Sequence, residues 1–265
     1  MKKVWHICWL ALILLFIYVP VLVLAVYSFT DASMVGGNIS GFSFENYLNL
    51  FKNEDLRSMI FGTLLLAVVC AVIATALATL GAIGSFYSKK LPKTLLHNAN
   101  QIPVVNADIV TGFSICILLI VILRVNKDTY IPLGLGHVVL CAPFVYLSIL
   151  PKLKQMDNSL YEAALDLGAT PAQALFKVVI PQLIPGILSG FMLAVTLSLD
   201  DYFITTYTKP SAFDTISTYV VNATKGSQTE IKTALWALST LIFLIVVVIV
   251  VLMNVLSGRK KEARK

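Results

Sequence analysis

Apolar runs longer than 18 residues recur along the whole chain. Each is long enough to cross a hydrocarbon core of roughly 30 Å as a helix rising about 1.5 Å per residue. The pattern predicts an all-α integral membrane protein. Composition agrees: 58% of residues are hydrophobic and only 13% charged, against about 25% charged in a soluble domain. A soluble fold could not hide that much apolar surface. The 14 Gly and 10 Pro follow no short period, which excludes collagen-like and low-complexity chains.

Six spans are predicted, at 4–28, 58–86, 95–123, 134–153, 184–206 and 230–256. A signal peptide would have an apolar core of about 7–15 residues and a small-x-small cleavage site. The first run is longer and ends Leu24-Ala25-Val26-Tyr27-Ser28, so it reads as a retained span. The third contains Pro103 and is expected to kink or break there. Small residues recur every fourth position at Cys70, Ala74, Ala78 and Ala82, and again at Gly186, Gly190, Ala194 and Ser198. Such stripes let helices approach closely in lipid.

The net charge is +6. In a soluble chain this would raise the question of nucleic acid. Here the basic residues sit between spans, so the expected partner is the bilayer and no nucleic acid. With both termini cytoplasmic, 13 of the 20 Lys and Arg fall on inside segments, as positive charge favours. The four Cys all lie in apolar runs and read as small buried hydrophobes. His6, His97 and His137 are isolated, so neither a metal nor another cofactor is expected. Ser114 with His137 could suggest an intramembrane protease, but no Gly-x-Ser-x-Gly or His-Glu-x-x-His occurs. The outer segment 29–57 carries Phe42, Phe44, Tyr47, Leu48 and Phe51. It reads equally as an interfacial helix or as a contact for a binding protein.

A less apolar segment, 152–183, separates the fourth and fifth spans. Ser159 with Glu162 three positions on forms a capping-box pattern. Gly168 can end that helix in a left-handed cap. Thr170 can cap a second helix with Pro171 at its first position, and Pro181 is expected to stop it. Two short helices on a tight turn are predicted, and an amphipathic pair resting on lipid is the plainer reading. Glu162-Ala163-Ala164, Gly168 and Ile180-Pro181 resemble the Glu-Ala-Ala loop of ABC importer permeases, with Ile180 where the family commonly has Leu. The resemblance implies a type I permease fold as a single domain over 1–265, its core about 58–256. It also implies that the loop docks on a cytoplasmic ATPase subunit. The chain has no Gly-Lys-Ser or Gly-Lys-Thr, so ATP would be hydrolysed by a partner.

Three carboxylates fall within or beside spans: Asp108, Asp200 and Asp201. An Asp at a helix centre costs about 2.5–3.5 kcal/mol on insertion scales, so each is a functional candidate by default. Helix capping competes as an explanation at Asp108. A bridge to Lys209 or a helix-end contact competes at Asp200 and Asp201. Ala107-Asp108-Ile109-Val110, the run Leu197 to Thr205 and Lys209-Pro210-Ser211 resemble the spermidine/putrescine permease family over nearly the whole chain. Ala107 stands where that family often has Pro. The resemblance implies a polyamine path in a bacterial inner membrane, with Asp108, Asp200 and Asp201 as acids and Tyr202, Tyr207 and Tyr219 as cation–π faces. It implies a second permease, two ATPase subunits and an extracytoplasmic binding protein as partners, and a transport subunit rather than an enzyme. Two alternatives remain: the same fold carrying ferric ion or thiamine, and a proton-coupled secondary carrier using the same acids.

Overall fold

A computed structural model of the chain describes residues 2–32, 38–39, 41–157, 159–225 and 234–244. Among them no strand occurs, apart from an isolated bridge between Thr30 and Phe42. Four helical stretches are long and apolar enough to cross a membrane: Trp5–Ser28, Glu54–Tyr87, Tyr130–Gln155 and Pro171–Asp200. A fifth crossing is possible as a bent pair, Lys90–Val105 with Asp108–Ile122. The sixth predicted span lies largely outside the described residues; of it, the apolar helix Ala234–Leu244 is seen.

The chain forms two compact units, Met1–Ser58 with Val220–Lys265, and Met59–Tyr219. In the first, α1 (Lys2–Ser28) is followed by α2 (Glu45–Lys52) and the start of α3 (Glu54–Tyr87). The ring pairs Tyr18–Phe243 and Tyr27–Trp236, at 6.3 and 6.0 Å, join α1 to Ala234–Leu244.

The second unit holds the rest of α3, then α4 (Lys90–Val105), α5 (Asp108–Cys116) with its π-helical extension Ile117–Ile122, and α6 (Tyr130–Gln155). The loop helices α7 (Ser159–Asp166) and α8 (Pro171–Ala174) come next. Then follow α9 (Ile180–Asp200), α10 (Phe203–Thr208) and the start of α11 (Ile216–Lys225). The small-residue stripes are buried as expected: Cys70, Ala74, Ala78 and Ala82 on α3 are all buried. Helix α9 packs its stripe against α6. A Cβ added at Gly190 would lie 2.8 Å from Val145 Cγ1, and one at Gly186 would lie 3.2 Å from the Ser148 carbonyl. Cys70 and Cys141 are buried free thiols, the latter directed at the Ala194 carbonyl at 3.3 Å.

Two predicted spans are not single helices. The third bends by 108° at Asn106-Ala107, three residues beyond Pro103, which stays inside α4. The fifth breaks at Asp201-Tyr202, before its predicted end. Pro181 also fails to stop the second loop helix. The chain runs as one helix from Pro171 to Asp200, widening into π-type turns over Leu175–Val179. Those wider turns come just before Pro181, which has no N–H to donate.

Candidate functional site

The break between α9 and α10 is built by Asp201. Its backbone is extended, at φ −65° and ψ 123°, and α10 therefore starts with amides that lack helical partners. The carboxylate supplies them. Oδ1 accepts from the Ile204 amide at 3.3 Å, and Oδ2 accepts from the Thr205 amide at 2.7 Å and the Thr205 hydroxyl at 2.8 Å. With its proton directed at Asp201, the Thr205 oxygen is left to accept from His137 Nε2 at 3.0 Å. His137 Nδ1 then accepts from the Ser198 hydroxyl at 2.7 Å. An imidazole with its hydrogen on Nε2 satisfies every member of this chain. His137 and Thr205 are completely enclosed, and Asp201 is 8% exposed. Asp201 Oδ2 lies 3.8 Å from His137 Nε2.

Asp200, the neighbouring acid, points elsewhere and is exposed. Its carbonyl accepts from Ser217 Oγ at 3.1 Å, which ties the end of α9 to α11. Tyr202 is half-buried, with its ring edge-on to Phe203 at 5.3 Å. Tyr207 meets Phe113 edge-on at 5.7 Å and so links α10 to α5. Tyr219 is half-buried on α11. Lys209 donates to the Phe213 carbonyl and pairs with Asp214, so its charge is matched outside the acids of the spans.

Asp108 is the first residue of α5 and is exposed. Ala107 occupies the cap position and no side chain bonds the first amides; Asn106 Nδ2 instead donates to Thr111 Oγ1 at 3.3 Å. A carboxylate there is favoured by the positive end of the helix dipole. Gly112, one turn on, packs against α10: a Cβ added to it would lie 3.1 Å from Ile204 Cα. The broken third span and the broken fifth span thus meet beside their acids.

The loop around Glu162 is built mostly by local bonds. Gly168 has φ +85°, and the amides of Gly168 and Ala169 bond the carbonyls of Leu165 and Ala164. Thr170 and Gln173 cap α8 reciprocally, at 3.3 and 3.1 Å, with Pro171 in first position. The first loop helix is capped differently from expectation. Asp157, not Ser159, supplies the oxygen, accepting from the Ser159 amide at 3.0 Å. The backbone and side chain of Ser159 hold the Asp157 carboxyl below its ordinary range. Ser159 is already inside the helix, so the Ser159–Glu162 box does not form. Glu162, Ala163 and Pro181 are exposed, and Ala164 and Ile180 half-buried. Leu167 projects with 89% of its surface exposed. Tyr161 touches Tyr87 at the end of α3, with ring centroids 5.0 Å apart.

Sequence reasoning missed His137, Ser198 and Thr205 as partners of Asp201. A signal was present. Ser198, Asp201 and Thr205 lie three and four residues apart, a polar stripe inside an apolar run that demands a donor from another helix. Among the described residues no cluster of potential ligands for a metal ion occurs.

The paired broken helices, the buried polar knot and the exposed loop describe a transport subunit, and the sequence comparison gives its family. The chain belongs to the binding-protein-dependent transport system inner membrane component family, whose model matches residues 1–262. It is a multi-pass protein of the bacterial inner membrane and a transport component rather than an enzyme. It is 32% identical over 250 residues to the putrescine transport system permease protein PotI of Escherichia coli K12, covering 91% of this chain and 86% of that one. It is 27% identical over 248 residues to the spermidine/putrescine transport system permease protein PotC of the same strain, covering 93% and 91%. Its fold matches a chain of a bacterial ABC transporter that imports the acidic polysaccharide alginate, with TM-score 0.69, 15% identity and 95% of each chain covered.

Proposed function

We propose that this chain is the transmembrane permease of an ATP-driven importer of polyamines, working with a second, homologous permease. Two cytoplasmic ATPase subunits and an extracytoplasmic binding protein complete the complex. The observation that carries the cargo assignment is the 32% identity to a putrescine permease over 91% of the chain. Exposed carboxylates at Asp108 and Asp200, beside the junction of two broken helices, support it chemically. An alkyl diammonium ion needs negative charge spaced along its route and apolar or aromatic walls for its methylenes. Tyr202, Tyr207 and Tyr219 supply the rings. Asp201 acts from behind this surface, holding the α9–α10 break that presents Asp200 and Tyr202.

The loop of residues 152–183 faces the cytoplasm in this reading, as do both termini, in keeping with the basic-residue asymmetry. Leu167 and Phe176, 89% and 64% exposed, offer apolar anchors for a groove on the ATPase. Closure of the ATPases would press on Glu162-Ala163-Ala164 and reach α3 through Tyr161 and Tyr87. The experiment is uptake of labelled putrescine and spermidine by the reconstituted complex, with ferric ion and thiamine as competitors. ATP-dependent uptake insensitive to both competitors is expected. Uptake of iron or thiamine instead would move the cargo within the same fold, and uptake without an ATPase would indicate a secondary carrier.

A further inference from the structure

Helix α2 divides its surface into three sectors. At about 100° per residue, Phe44, Leu48 and Phe51 share one face, and Glu45, Asn49 and Lys52 share the next. Asn46 and Leu50 form the third, which is buried. The first face is uncovered: Phe44, Leu48 and Phe51 are 57%, 54% and 63% exposed. The polar face beside it is exposed as well.

The place of this helix beside the end of α1 is set by hydrogen bonds. The Asn46 amide group donates to the carbonyls of Ser28 and Thr30, at 3.1 and 3.0 Å, where α1 ends. Tyr47 Oη lies 3.0 Å from Ser28 Oγ. Phe29, just past α1, stacks on Phe42 at 5.7 Å and meets Phe44 and Tyr47 at 5.9 and 5.0 Å. These bonds tie α2 to the end of a helix long and apolar enough to cross the bilayer. No residue in the apolar window of α1 is buried, although Tyr18 and Tyr27 meet rings of Ala234–Leu244 on one side. The bare face of α2 therefore lies beside the end of an exposed apolar helix, where a span of that length would place aromatic side chains at the headgroup boundary.

We infer that α2 is an interfacial foot, with Phe44, Leu48 and Phe51 inserted into the bilayer boundary and Glu45, Asn49 and Lys52 turned to water. In the proposed orientation this is the outer leaflet. Its occupant is lipid rather than a protein partner. The inference rests on α1 crossing the membrane, not on the cargo.

The test uses the full chain in its assembled complex, with its four Cys replaced, reconstituted in phosphatidylcholine nanodiscs. Nitroxides on single cysteines at Leu48, Asn49 and Phe51 are read by collision with oxygen and with a water-soluble nickel chelate. Leu48 and Phe51 should report burial of about 5–10 Å past the headgroups, as for other interfacial helices, and Asn49 should report water. A nitroxide deep in α1 controls for insertion. With that control intact, nickel access at Leu48 equal to Asn49 would overturn the inference. Shielding of Leu48 from both reagents would also overturn it, since a protein would then cover the face. Loss of polyamine uptake in other variants leaves this readout unaffected, so the two readings fail separately.

Discussion

Ile204 occupies the space that a side chain on Gly136 would need. A Cβ on that glycine would lie 2.5 Å from Ile204 Cγ2. Gly112 approaches the same residue from α5. The short helix α10 is thus wedged between α5 and α6 by one β-branched residue and two bare helix backbones, and the Asp201 knot sits directly beneath it.

The first prediction concerns this wedge. Gly136→Ala gains about 1 kcal/mol of helix propensity. Overpacking at a site this tight costs about 1–3 kcal/mol, and the contact is well under van der Waals distance. The melting temperature in detergent should therefore fall. Adding Ile204→Leu removes the Cβ branch that the new methyl strikes and should restore much of it. An unchanged melt for Gly136→Ala alone would show that α10 is loosely held.

The second separates the acids. In Asp201→Asn only one side-chain oxygen remains, whereas the Ile204 and Thr205 amides each use a different one. The new NH2 would face a donor. An unsatisfied buried group costs about 1–3 kcal/mol, so this variant should melt lower. Asp108→Asn and Asp200→Asn are exposed and should melt within about 0.5 kcal/mol of the parent. Their putrescine uptake should nonetheless drop about tenfold or more, roughly 1.4 kcal/mol or more at the limiting step. Parental uptake in both, at equal expression, would remove these acids from the cation's route.

The third concerns Gly168, which holds φ +85°. A β-branched residue there costs about 1–2 kcal/mol in the left-handed region. Nothing crowds the position, so the effect is conformational and stays in the loop. Gly168→Val should insert normally, while substrate-stimulated ATP hydrolysis by the assembled complex falls. Full stimulation would dissociate the turn from ATPase docking.

The fourth tests orientation. Single cysteines at Asn49 and Lys260 in a cysteine-free background should react with an impermeant maleimide from opposite sides, Asn49 from outside. Equal reactivity of the two in intact cells would overturn an even number of crossings with both ends in the cytoplasm.

The loop was readable because its determinants are local. A left-handed glycine and a Thr–Pro start act within four residues of themselves. The misplacement of the first cap shows the limit even there. Asp157 and Ser159 both suit the role, and the helix begins at Ser159 with Asp157 accepting from its amide. The break expected in the third span falls three residues beyond Pro103, at Asn106-Ala107, whereas the break that Asp201 builds at Asp201-Tyr202 has no Pro or Gly to announce it. Pro103 drew attention to the wrong residue. Asp201 was recognised as costly, yet its reason lies on α6, in a histidine that looks isolated in sequence. The apolar runs match the long helices α1, α3 and α6, since length and hydropathy suffice for those.

The unbroken helix from Pro171 to Asp200 has a mechanical meaning. Thirty residues at about 1.5 Å each make a rod of roughly 45 Å, with the cap that seats the loop at one end and an exposed acid at the other. Its irregular points are the π-type turns over Leu175–Val179 and the prolines Pro181 and Pro185, which donate no backbone hydrogen bond. In the proposed reading, a tilt at the loop end of such a lever would emerge as a sideways step at the acid end, where the Asp201 break ends the rod.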